Sequence, residues 1–302
     1  MNRRSFIQKS AMMSCMVWSG YSLPKLSPMI LRKIPSTGEQ IPIVGLGTWL
    51  TFDAGNDKAA RENLKQVLKT FNDLGGKVID SSPMYGSSEK VVGDLVSSLG
   101  IRNELFLATK VWTSGKNDGI IQMNRSFDLM KTKTIDLMQV HNLLDAESHL
   151  ATLQQWKADG RIRYIGLTHY HDGGYQRMIS LMKKYPVDFI QIDYSINNLN
   201  AAKVVLPTAQ KRNIAVLINR PYAGGQLFNK VRNKPLPAWS REFDCNSWGQ
   251  YFLKYILSNP SVTCVIPGTS KVHHLRDNLQ AGVGKLPNPS QRNQMIRYLS
   301  SM

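Results

Sequence analysis

An apolar run of strand length followed by a segment of helical period recurs eight times between Ile43 and the end of the chain, and few folds absorb that alternation within 302 residues. The strand-like runs are Ile43–Trp49, Val78–Asp80, Leu105–Lys110, Ile135–His141, Arg163–Thr168, Phe189–Asp193, Ala215–Ile218 and Val262–Ile266. Helical spacing follows over Lys58–Leu74, from Ser87-Ser88-Glu89, over Ile120–Met130, His149–Ala158, Met178–Lys184, Ala202–Gln210 and Ser247–Leu257, and from His273. Gly75-Gly76 stops the first helix. Ahead of the first run, Ile30–Ile41 reads as a hairpin around Ser36-Thr-Gly38. The pattern predicts an α/β fold, a (β/α)8 TIM barrel over 30–302 with an N-terminal β-hairpin closing its bottom. No sequence repeat, linker or composition break marks a second domain. The rival architecture, a doubly wound dinucleotide domain, calls for a Gly-x-Gly-x-x-Gly turn after its first strand, whereas Gly45-Leu-Gly47 continues as Thr-Trp-Leu.

In such a barrel the C-terminal ends of the strands form one working rim. Polar residues collect there. Asp80 ends the second strand, with Tyr85 just beyond it; Lys110 ends the third strand and His141 the fourth. A free phenol titrates near 10 and is a poor acid at neutral pH, so a nearby ammonium that stabilises the phenolate would lower that value. Lys110 can supply the ammonium, Asp80 can hold it charged, and a neutral His141 imidazole can orient a substrate oxygen. The chemistry implied is protonation of a carbonyl oxygen, with no metal.

The segments Asp80-Ser-Ser-Pro-Met-Tyr85-Gly-Ser-Ser-Glu, Thr109-Lys110-Val-Trp112 and Leu137-Met-Gln-Val-His141-Asn resemble the catalytic segments of the aldo-keto reductases, from about Ile41 onward. The resemblance implies a catalytic tetrad of Asp80, Tyr85, Lys110 and His141, and a nicotinamide dinucleotide laid across the barrel mouth, NADP with NAD as the alternative. It implies further that Gly47, Thr48 and Trp49 lie beside the nicotinamide and that Thr168, His169 and Gln191 hydrogen-bond its carboxamide. Asn219, Arg220, Pro221 and Tyr222 would flank the cofactor, and Gly268, Thr269, Ser270, Lys271, His274 and Asn278 would hold its adenosine phosphates. Trp49 and Trp112 would wall the cleft for a small carbonyl substrate. Three positions depart from the family pattern. Thr168-His169 replaces a common Ser-Asn, Asn219 replaces an aromatic that stacks on the nicotinamide, and Gly268 replaces a lysine that contacts the 2′-phosphate, which leaves Lys271 or His274 for that contact. A cofactor-binding redox sensor is the alternative from a different class, and the lack of an added interaction segment favours the enzyme.

A formal charge of +17 favours anionic ligands or surfaces. The cations are scattered and carry no nucleic-acid-binding motif, so no nucleic-acid partner is expected. Asn2-Arg3-Arg4-Ser5-Phe6-Ile7-Gln8-Lys9 and the mildly apolar stretch after it resemble a twin-arginine export signal over residues 1–29. This segment is too short and polar for a stable membrane span. The reading implies contact with the twin-arginine export machinery and a periplasmic or other extracytoplasmic location, as a monomer. Of three cysteines, Cys15 lies in that segment and Cys264 reads as a buried apolar residue, while a Cys245–Cys264 disulfide stays open.

Overall fold

The computed structural model describes residues 28–302, so the twin-arginine motif and Cys15 lie outside the described residues. Two short strands, β1 (Leu31–Lys33) and β2 (Gln40–Pro42), pair antiparallel as the predicted hairpin. Eight parallel strands then follow in chain order around a nearly closed barrel: β3 (Leu46–Gly47), β4 (Val78–Asp80), β5 (Phe106–Val111), β6 (Ile135–His141), β7 (Ile162–Thr168), β8 (Phe189–Asp193), β9 (Ala215–Asn219) and β10 (Cys264–Val265). The ring is completed where Val44 bridges Val265 and Gly47 bridges Gly268. A side chain at Gly47 would put its Cβ 2.8 Å from the Ile266 carbonyl oxygen, so this seam has room only for glycine.

The outer layer comprises α1 (Lys58–Asp73), α2 (Ser88–Leu99), α3 (Lys116–Leu129), α4 (Ala146–Ala158), α5 (Tyr175–Lys184), α6 (Asn200–Lys211), α7 (Gln226–Lys230), α8 (Trp248–Leu257), α9 (Val272–Gln280) and α10 (Pro289–Ser300). Helix α1 shows why these segments form. Asp57 caps it by accepting from Ala59 N and Ala60 N, and Leu64, Val67, Leu68 and Phe71, spaced at helical period, are buried against the strands. Among the described residues no helix is long and apolar enough to cross a membrane.

Inside the barrel, alternate residues of each strand share the interior. The lower layers are apolar. Ile34 and Ile41 of the hairpin pack there with Val78, Phe106, Leu137, Tyr164, Phe189, Ala215 and Leu217. Continuing up the same faces, the interior turns polar: Asp80 above Val78, Lys110 above Ala108, Gln139 and His141 above Leu137, and Gln191 above Phe189. The hairpin is pinned at the bottom by Tyr164, whose hydroxyl reaches Glu39 Oε2 at 2.5 Å and Thr37 Oγ1 at 2.9 Å. Arg32 adds a second anchor by donating to the carbonyls of Leu257, Asn259 and Val262 just past α8. A cation on the last carbonyls of a helix both satisfies them and complements the helix dipole.

The first and last barrel strands are shorter than their apolar runs. Pairing across the seam is by isolated bridges, and Pro267 has no N–H to carry the ladder past Ile266. Helix α10 escaped the sequence reading although its signal is present: Asn288 and Gln291 form a capping box around Pro289. Cys245 and Cys264 are both buried and free, so the structure holds no disulfide between them.

Candidate active site

Lys110 is the centre of the polar layer and has no solvent exposure. Its ammonium donates to Asp80 Oδ2 at 2.6 Å and to the Ser81 carbonyl at 2.6 Å. The other carboxylate oxygen, Asp80 Oδ1, accepts from Gln139 Nε2 at 2.9 Å and from Gln191 Nε2 at 2.8 Å. Tyr85, half-buried in the loop after β4, lies above this pair, with the Lys110 ammonium 4.8 Å from the ring centroid. His141 meets the Tyr85 ring edge-to-face at 5.9 Å, and Ser82 Oγ holds its Nδ1 at 3.0 Å. Trp112, largely exposed, closes the other side at 6.3 Å from the imidazole. All four tetrad candidates are thus gathered on one rim.

Their charge states follow from burial and neighbours. Burial opposes the charge on Lys110, but Asp80 and then Tyr85 outweigh it and the ammonium is held above its ordinary value. Burial drives His141 down to about 2, helped by the charges of Lys110 and His169, so its imidazole is neutral. Tyr85 corrects one expectation from the sequence. Burial raises the phenol above its ordinary value, and the opposing pull of Lys110 does not overcome it. At neutral pH the set is therefore a protonated phenol over a charged lysine, beside a neutral histidine.

The residues assigned to the cofactor fall into two groups. Around the barrel centre, Thr168 Oγ1 donates to Gln191 Oε1 at 3.2 Å, and Asn219 Nδ2 donates to the His169 carbonyl at 3.1 Å and reaches Gln191 Oε1 at 3.4 Å. Thr48 is buried with its hydroxyl donating to the Asp80 carbonyl and to Ser81 Oγ, both at 3.0 Å, so it braces the rim, while Trp49 stands 49% exposed. Toward β10, a cleft of about 240 Å³ is lined by Tyr222, Phe228, Gly268, Thr269, His274 and Asn278. Tyr222 donates to Asn278 Oδ1 at 2.5 Å. Pro221 is buried beside it. Lys271, exposed, is the N-cap residue of α9, and no side chain caps that helix. Ser270 presents its carbonyl to Asn63. Arg220 turns away from this group, into a cavity of about 260 Å³ with Tyr170, His171 and Asp193.

This chain fits a dinucleotide. Uncapped first-turn N–H groups of α9 are unsatisfied donors at the positive end of a helix dipole, next to Lys271 and a polar cleft. Sequence reading missed Ser82, which fixes His141, and Gln139, which fixes Asp80. The Gln139 signal was available: a polar residue two positions before His141 in the same strand must share its inward face.

Comparison with known proteins agrees with the fold. The sequence model of the aldo/keto reductase family matches residues 43–297. Methylglyoxal reductase of Escherichia coli (strain K12) is 26% identical over 245 residues, covering 79% of this chain and 84% of the relative. L-glyceraldehyde 3-phosphate reductase of the same organism is 24% identical over 319 residues, covering 88% and 91%. Among solved structures, the holo form of an aldo-keto reductase from Bacillus halodurans superposes with a TM-score of 0.74 at 21% identity, covering 90% of this chain and 96% of the other. An aldo/keto reductase from Klebsiella pneumoniae in complex with NADP and acetate gives 0.71 at 22%, covering 87% and 93%.

Proposed function

Because the chain belongs to the aldo/keto reductase family, we propose that it reduces a small aldehyde or ketone to the alcohol with NADPH, and that Tyr85 donates the proton. A nicotinamide dinucleotide held across the rim would supply the hydride for the carbonyl carbon. Lys110 and Asp80 keep a positive charge beneath the phenol, which offsets the negative charge left on Tyr85 Oη when its proton goes to the carbonyl oxygen. His141, neutral and fixed by Ser82, orients that oxygen. Trp112 and Trp49 shield the reacting carbonyl from water. The observation that carries the reading is the fully buried Lys110–Asp80 pair at 2.6 Å, directly under an available phenol. Steady-state turnover with a panel of aldehydes, set beside NADPH binding followed by fluorescence, tests it. Binding without multiple turnovers would make the chain a cofactor sensor.

Relatives crystallised with NADP or NADPH support the choice of cofactor. Burial and the charges of His273 and Lys271 depress His274, which favours Lys271 as the charged contact to the 2′-phosphate, with His274 the next candidate. Lys271→Ala is expected to weaken NADPH by about 1.5 to 3 kcal/mol and NADH much less, read from the two dissociation constants. Equal losses would place the 2′-phosphate elsewhere.

The proposal includes export of the folded monomer by the twin-arginine route, supported by Arg3-Arg4 and the apolar stretch that follows. Arg3→Lys with Arg4→Lys is expected to retain the protein in the cytoplasm on fractionation. A double variant still exported would refute that route.

A further inference from the structure

The proton-transfer set and the nicotinamide side of the rim form one continuous buried network. It runs from Lys110 Nζ to Asp80 Oδ2, from Asp80 Oδ1 to the amides of Gln139 and Gln191, and from Gln191 Oε1 to Thr168 and Asn219. Gln191 Nε2 also reaches Gln139 Oε1 at 3.1 Å. Gln139 is therefore tied to both halves: it donates to the carboxylate that holds the lysine, and accepts from the amide of Gln191, which is bonded in turn to Thr168 and Asn219. It lies below the rim with no exposure and lines neither cleft. A buried amide with both ends engaged in the interior fixes its partners in one arrangement.

We propose that Gln139 is a positioning residue that couples cofactor binding to proton donation by locking Asp80 between Lys110 and Gln191. The inference rests on the reading of Tyr85 as acid and of this rim as the nicotinamide site. Without the Gln139 amide, Asp80 Oδ1 keeps one donor, the carboxylate is held less firmly against Lys110, and Gln191 loses an acceptor for the N–H that orients its own oxygen. The other titratable groups around Lys110 and Asp80 are Tyr85 above, His141 from β6 with His169 beyond it, Glu89 from α2 with Arg125 beside it, and Cys264 from β10. Among the described residues, only the Asp80 carboxylate pairs with Lys110.

Two variants and two readouts test this on the full-length protein. Gln139→Met keeps length and removes the hydrogen bonds to Asp80 and Gln191, with the longer one to the Thr109 carbonyl. NADPH affinity by fluorescence is expected to fall about threefold to tenfold, the scale of one lost hydrogen bond, although the residue touches no cofactor. The alkaline limb of the turnover profile is expected to move toward neutral by about one pH unit as the lysine loses its fixed counter-ion. Gln139→Glu keeps the acceptor for Gln191 but sets a second carboxylate beside Asp80, so the limb is expected to move the opposite way. This variant also decides the matter if Gln139→Met does not fold. A folded variant with NADPH affinity within twofold of wild type and an unmoved limb would overturn the coupling. A residue that only fills space would change thermal stability and leave both readouts in place. Should the wild type bind NADPH but never turn over, the proposed function fails on that ground, and the affinity readout alone still decides the role of Gln139.

Discussion

Tyr85→Phe is expected to cut carbonyl reduction by about 100-fold or more while folding and NADPH binding stay near wild type, because the change removes only the hydroxyl proposed as the proton donor. The half-buried ring keeps its edge-to-face contact with His141 in the variant. Steady-state rates beside NADPH affinities check this, and a variant that reduces aldehydes at near the wild-type rate would rule the mechanism out. The raised phenol also fixes the direction of the pH dependence. Reduction consumes the protonated form, so its rate stays level through neutral pH and falls only as pH rises through the phenol's elevated value. Alcohol oxidation consumes the phenolate and climbs over that same range.

Lys110→Met is expected to destabilise the fold by about 3 to 5 kcal/mol, the cost of leaving one member of a buried ion pair uncompensated. Asp80 would be the stranded partner, 2% exposed and still bound by two amides. Urea unfolding measures the loss. Removing the stranded charge as well, in Lys110→Met with Asp80→Leu, is expected to recover most of the stability and none of the activity, which separates the structural from the chemical part of the pair. A Lys110→Met variant as stable as wild type would mean that the pair is not truly desolvated. Since the folded lysine is raised above its unfolded value, the pair's contribution is complete below about pH 10.4 and is lost as pH climbs through the folded value.

The barrel was legible in the sequence because strand-length apolar runs alternate eight times with segments of helical period, a pattern set by burial. The tetrad was legible for the same reason: Asp80, Lys110 and His141 are the last inward positions of β4, β5 and β6 or adjoin them. Three things were not. The state of Tyr85 depends on how deeply it is enclosed, and neighbouring residue types cannot say whether desolvation or an adjacent charge wins. The extent of β3 and β10 depends on each other, since their pairing joins residues at opposite ends of the chain. Which cavity the Arg220 side chain lines depends on a left-handed backbone, with φ of 48°, that neighbouring residue types do not announce. Helix α10 is another matter, because its capping box was readable and was passed over.

The seam between β3 and β10 bears on the order in which the molecule can assemble. Gly45 N bonds to the Val265 carbonyl at 2.8 Å and Val265 N to the Ile43 carbonyl at 2.9 Å. Every other junction in the ring joins strands that are consecutive in the chain and can form locally as a strand–helix–strand unit. The closing one has to wait until the last strand has been synthesised. Until then both ends of the sheet are open edges, with unpaired backbone groups that invite pairing to other chains. The same strand brings with it the Thr269–His274 segment. Closure of the ring and completion of the cleft lined by Tyr222, Thr269 and His274 are consequently a single event, and an intermediate that lacks one lacks the other.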